Sequence, residues 1–176
     1  MSKLIKKIGM PAMLAIAALL CGCIISGTFV ITKEIEFSIS EDFYFYQIDL
    51  TNTSDWKEHS DEIQFVDAVG MVLYITNDSS AATLSMYVDE YSGLGPVPTT
   101  LPDPDSITLI IKDFVIPESE SIITYAESVN AIQNLETLKT LCETGKFDFY
   151  GTSTGHLGQT ITVDSGKIVV TFSAGK

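Results

Sequence analysis

The stretch IQFVDAVGMVLYIT, residues 63–76, decides how this chain folds. Phe65, Val69, Met71, Leu73 and Ile75 fall on alternate positions, the two-residue period of a strand with one buried face. Gly70 inside the run predicts a bulge or bend. Working outward from it, the same period recurs along most of the chain. In residues 28–39, Phe29, Ile31, Ile35, Phe37 and Ile39 share one face, and Thr28, Thr32, Glu34, Glu36 and Ser38 take the other. Tyr44, Tyr46, Ile48 and Leu50 continue it, with Phe43 and Phe45 making the start of that strand apolar on both faces. Leu84, Met86 and Val88 alternate downstream, as do Ile107, Leu109 and Ile111. Ile122 to Ala126 is a weaker candidate. Phe147 with Phe149, Ile161 with Val163, and Ile168, Val170 and Phe172 complete the set.

Turn chemistry separates these runs: Asn77-Asp78-Ser79-Ser80 after the long strand, and Asp164-Ser165-Gly166 as the turn of a final hairpin. About eight or nine short strands with no strand–helix rhythm predict a mainly β chain, an antiparallel β-sandwich of immunoglobulin-like architecture. The cysteine–tryptophan–cysteine signature of immunoglobulin domains is absent, so the expectation concerns architecture alone. Two helices interrupt the pattern. Asp55-Trp56-Lys57-Glu58 reads as a capping box opening a short helix to about Glu62. A longer helix is expected from Asn130 as N-cap to Thr144, with Ile132, Leu135, Leu138, Leu141 and Cys142 on its apolar side and Gly145 just beyond its end. Such a helix would cover the mouth or an open edge of the sandwich, which exposed edges require.

Composition sets the outer limits. The 176 residues carry ten basic side chains, all lysine, against 23 acids, a formal charge of −13. Without an arginine the chain lacks the bidentate donors that read nucleic acid or phosphate. A hydrophobic fraction of 45% with 19% charged residues is that of a globular protein, not a disordered one.

The first seven residues hold Lys3, Lys6 and Lys7 and no acid, and Ile8 to Leu20 then runs without charge. This is the layout of a secretory signal. Leu20-Cys21-Gly22-Cys23 follows. Here the sequence resembles the lipobox of bacterial lipoproteins, with leucine at minus three, a small residue at minus one and then the modified cysteine. The resemblance covers residues 1–23 alone and implies cleavage between Gly22 and Cys23, with acylation of Cys23 through its sulfur. Cys21 at minus two departs from the commoner Ala, Ser or Thr but is similarly small. An uncleaved transmembrane anchor is the alternative, since no charge occurs from Ile8 to Thr32. Pro11 and the Cys-Gly-Cys-Ile-Ile-Ser-Gly run are poor material for one helix. Either way the body is expected outside the cytoplasm.

Removing residues 1–22 leaves seven lysines against 23 acids, a net −16, so the acyl chains rather than a basic patch would hold the protein on its membrane. The expected organisation is a signal peptide at 1–22, a tether at 23–27 and one sandwich domain at 28–176. An isoleucine after Cys23 is compatible with outer-membrane sorting in a two-membrane organism, because aspartate there is the family's typical inner-membrane signal.

Chemistry is sparse. His59 and His156 show no metal spacing, and no serine-nucleophile motif occurs. Ser153 and Thr154 near His156 form a pair that any chain of this length offers. Asp103 and Asp105 are weak calcium candidates, with Asp89, Glu90 and Asp42 as distant partners, but they lack the ligand pattern of a calcium loop. Phe43 to Tyr46 with Trp56 could form a stacking surface, although alternation sends two of those four rings inward. Trp56 is better placed as a plug at one end of the sandwich. Cys142 reads as a small buried hydrophobe. The prolines Pro96, Pro98, Pro102 and Pro104 sit in Gly93–Ser106, a long loop read first as a stiffened crossover.

The functional expectation is a lipid-anchored, non-enzymatic envelope protein without a cofactor. Its partners would be the membrane and, in a binding or structural role, another envelope protein. The alternative is a carrier for a small apolar or sugar ligand in a cavity lined by Phe45, Tyr46, Phe147 and Phe149. A hydrolase with dispersed residues ranks last.

Overall fold

The computed structural model describes residues 26–39, 43–78, 80–93, 95, 97–155 and 160–175. The strands are β1 (Ser26–Ile39), β2 (Phe43–Asp49), β3 (Ile63–Asn77), β4 (Ala82–Glu90), β5 (Thr108–Ile116), β6 (Ser119–Ile123), β7 (Lys146–Thr154) and β8 (Ile161–Gly175). The helices are α1 (Ser54–His59), α2 (Tyr125–Ala131) and α3 (Leu135–Thr144), with a 3-10 turn at Ser60–Glu62. Two antiparallel four-stranded sheets pack together as the expected sandwich: sheet A in the order β1-β8-β3-β6, sheet B in the order β2-β7-β4-β5. Alternation explains the core. Ile31, Ile35, Val69, Met71, Leu73, Ile75, Val170 and Phe172 of sheet A meet Ile48, Leu84, Met86, Val88, Phe147 and Phe149 of sheet B, all buried.

Departures from the expected pattern come mostly from bulges. One extra residue reverses the phase of everything beyond it, because the side-chain period is two. In β3 the register against β8 slips between Val66 and Ala68. Val66 is therefore buried, and Phe65, expected inside, is 50% exposed. The bulge does not fall at Gly70. That glycine lies flat beneath α2, where an added Cβ would stand 2.9 Å from Val129 Cγ2 and closer still to the Tyr125 ring. In β5 the register jumps so that Met86 faces Ile111 and Tyr87 faces Leu109, which leaves both Ile110 and Ile111 buried.

The expected final hairpin is absent. Asp164-Ser165-Gly166 instead forms a bulge inside one continuous strand, β8: Ile35 faces Gly166 and Phe37 faces Val163, while Tyr74 faces Ser165 and Ile75 faces Val163. β8 is thus the spine of sheet A, bonded to β1 on one side and β3 on the other. Gly166 fits the backbone of β1 closely. A Cβ there would lie 2.7 Å from Ile35 Cγ1 and 3.0 Å from the Ile35 carbonyl oxygen.

The helical region also differs. The cap of α1 is Thr53, whose hydroxyl accepts the Trp56 amide at 3.3 Å, rather than Asp55. The expected single helix from Asn130 is two helices. Thr124 and Glu127 make a reciprocal capping box that starts α2 earlier, and Asn134 in a left-handed conformation separates α2 from α3. Gly145 closes α3 in the left-handed conformation expected of it. The pair covers an open sheet edge. β6 bonds only to Leu73–Asn77 of β3. Farther along that edge the Met71 amide donates to Ser128 Oγ at 2.7 Å and the Val66 amide donates to Glu143 Oε1 at 3.1 Å. The Gln133 amide donates to the Ile110 carbonyl at 2.6 Å, tying the helices to sheet B as well.

Candidate functional site

The polar chemistry of the domain concentrates on the outer face of sheet B. Alternation along β7 turns Lys146, Asp148 and Tyr150 outward, opposite Asp49, Gln47 and Phe45 of β2. Asp148 nevertheless has no solvent exposure. Its carboxylate accepts Gln47 Nε2 at 3.2 Å and the Ser92 amide at 3.1 Å. Gln47 Nε2 also donates to the Gly93 carbonyl at 2.8 Å. These bonds pin the start of the proline-containing loop across β2 and β7. They also answer an electrostatic problem, because the register sets Asp148 against Asp89 and opposed like charges destabilise a sheet. Phe43 and Phe45 pack on Tyr150, with ring centroids 6.3 and 5.2 Å away. Burial first, then the charges of Asp148 and Asp89, pushes the Tyr150 hydroxyl up to about 12. Lys146 Nζ stands 2.9 Å from Asp49 Oδ2 and 5.5 Å from the Tyr91 ring centroid.

Sequence reasoning passed over this cluster. Asp148 in Lys-Phe-Asp-Phe-Tyr reads as an outward, solvated acid. Only the loop laid over it makes it buried, and nothing local in β7 signals that.

The cavity candidate does not assemble. Phe45 faces outward and Tyr46 inward, so the four aromatic residues cannot line one space. Between the sheets, the space bounded by Phe147, Phe149, Ile132 and Leu138 is a void of about 10 Å³, room for one water at most. Tyr44 and Tyr46 stack inward, and burial followed by the neighbouring Tyr46 raises the Tyr44 hydroxyl well above its ordinary value. Trp56 does pack at one end of the core, its ring edge against Phe172 with centroids 5.8 Å apart.

The remaining candidates have local roles. Asp103 accepts the Asp105 amide through its side chain at 3.1 Å and the Ser106 amide through its carbonyl at 2.8 Å, which makes it a turn residue. Asp89 accepts the Glu90 amide at 2.8 Å. Among the described residues no three His, Cys, Asp or Glu side chains converge on a common point. His59 rests on the Phe29 ring and lies 3.5 Å from Glu62 Oε2. Cys142 is fully buried on α3, and burial, with Glu143 beside it, pushes its thiol up to about 12. Ser153 is buried, and the Thr154 hydroxyl lies 2.6 Å from that of Thr83. Gly22, Cys23, Asp42 and His156 lie outside the described residues.

Sheet A offers a different outer face near Ser26. Three cross-strand rows succeed one another there: Thr28–Ser173–Phe65, Val30–Thr171–Ala68 and Thr32–Val169–Gly70, the last covered at Gly70 by Tyr125 and Val129 of α2. None of the nine residues is charged. The first charged row beyond them pairs Glu34 with Lys167. Asp67, extruded at the bulge beside the rows, accepts the Ser173 hydroxyl at 2.8 Å. No protein-family model matches the chain, and no curated protein matches it.

Proposed function

We propose that this chain is a lipid-anchored protein of the bacterial envelope with a non-enzymatic binding or structural role. The observation that carries this reading is the short distance between the lipobox-like Leu20-Cys21-Gly22-Cys23 and the first strand, which begins at Ser26 rather than Thr28. Only Ile24 and Ile25 intervene, so the acylated residue and the sheet are at most about 10 Å apart along an extended chain. The same boundary weakens the alternative anchor. With β1 occupying residues from Ser26 onward, the charge-free stretch left for a helix is residues 8–25, about 27 Å at helical rise against a hydrocarbon core of about 30 Å. Pro11 and Gly22 would further weaken such a helix.

A surface role is favoured over a carrier role by the filled space between the sheets. It is favoured over hydrolysis by the engagement of the reactive groups: Cys142 is buried with its thiol held protonated, and His59 is packed on Phe29. Intact mass of the protein extracted from membranes tests the reading. The expected mass begins at Cys23 and carries the acyl increment, and Cys23→Ala abolishes both the increment and the processing. A mass retaining residues 1–22 without lipid overturns it.

A further inference from the structure

We propose that the sparsely charged outer face of sheet A near Ser26 lies on the phospholipid surface, so that the domain is docked on the bilayer and not merely tied to it. The inference rests on the lipid-anchor reading and adds which surface meets the membrane. Three observations point the same way. The first is position: β1 is an edge strand of sheet A, and a two-residue tether from Cys23 reaches it at Ser26, the end at which these rows begin.

The second is charge. In a chain with 23 acids, the three rows nearest Ser26 contain none, and the next row balances Glu34 against Lys167. Asp67 at their border accepts the neutral Ser173 hydroxyl and keeps its charge, so the face is sparsely charged rather than free of charge. A body of net −16 is repelled by anionic headgroups, and that repulsion is least where the facing surface carries fewest charges. The outer face of sheet B, with Asp49, Asp89 and Asp148, is the opposite case.

The third is chemistry. The face is threonine and serine hydroxyls around Val30, 49% exposed, and Phe65, 50% exposed. An exposed ring at headgroup depth loses contact with water while hydroxyls beside it keep hydrogen-bonding partners in the interface, the same balance that places aromatic belts there. A tether of two residues holds this face at the surface permanently, so weak contacts suffice.

Nitroxide accessibility tests the proposal. Val30→Cys and Thr171→Cys on sheet A, and Thr152→Cys on the outer face of sheet B, are labelled in the mature, membrane-extracted protein. Cys142 is buried and Cys23 is blocked by lipid. The protein is then placed in vesicles of phosphatidylethanolamine with a minor share of phosphatidylglycerol. The expected result is a several-fold fall in accessibility to a water-soluble nickel relaxant at positions 30 and 171 on vesicle binding, a rise toward oxygen, and no change at 152. Phe65→Lys should remove that contrast while leaving the acyl increment and the folded spectrum unchanged.

Equal accessibility at all three sites in protein whose mass shows the acyl increment overturns the docking proposal and leaves the anchor reading standing. A mass without lipid, with all three sites water-accessible, overturns both. Spin–spin broadening between copies at position 30 without a gain in oxygen accessibility overturns the proposal in favour of a second copy of the chain on this face.

Discussion

The outer faces of the two sheets solve the same problem in different ways. Sheet B places acids outside, one of them without solvent, and holds them with directed bonds: Asp49 with Lys146, and Asp148 with Gln47 and Ser92. Sheet A depends instead on close approach at two glycines, Gly70 beneath α2 and Gly166 against Ile35 and Leu73 of the core. The difference teaches where each sheet is sensitive. Sheet A should respond to small increments of volume, and sheet B to loss of a polar partner.

The sharpest test exchanges one glycine in each central strand. Gly166→Ala in β8 sets a methyl 3.0 Å from a backbone carbonyl that cannot rotate away, and should cost about 2–3 kcal/mol of unfolding free energy in urea titration. Gly151→Ala in β7 meets nothing nearer than 3.7 Å and should change stability by no more than about 0.5 kcal/mol. Equal losses would erase the contrast between the sheets.

A smaller effect is expected on the other side. Asp148→Ala removes the acceptor of the Ser92 amide and leaves Gln47 with the Gly93 carbonyl alone, while relieving the repulsion from Asp89, for a net loss of about 1–2 kcal/mol. Amide exchange at Ser92 should accelerate by more than the global change. Uniform acceleration would mean that the carboxylate supports the whole domain rather than the loop. The smallest effect concerns pH. Burial raises the Asp49 carboxyl, but the bonds from Thr51 and Lys146 outweigh it and hold the group below its ordinary value in the fold. Its contribution to stability is therefore complete above the ordinary carboxylate range and is lost as pH falls through the lowered folded value. Asp49→Asn should flatten that acidic limb of a melting-temperature profile.

Alternation made the sandwich legible, because a half-buried strand must repeat every two residues whatever its neighbours. Bulges were not legible. Asp67 and Ile110 look like any other strand residue, and only pairing across the sheet reveals the extra position. Asp164-Ser165-Gly166 carried the composition of a turn, yet the glycine serves close approach inside a straight strand. Thr124 and Glu127 form a capping box that was present in the sequence and hidden by the apolar run before it. The chemistry around Asp148 was illegible for a different reason: it depends on a loop whose path no local pattern encodes.

The place of β8 bears on the timing of assembly. Ser26 bonds opposite Gly175, and β8 lies between β1 and β3, so the spine of sheet A is the last of the described strands to be synthesised. A nascent chain ending before Ile161 has β3 paired with β6 over Leu73–Asn77 alone, and β1 has no partner in the sheet. Contacts so distant in sequence also form slowly. Sheet A therefore cannot close on itself while its C-terminal fifteen-residue strand is still missing. The order in which the strands arrive thus leaves half of the sandwich unfinished until the eighth of them has been made.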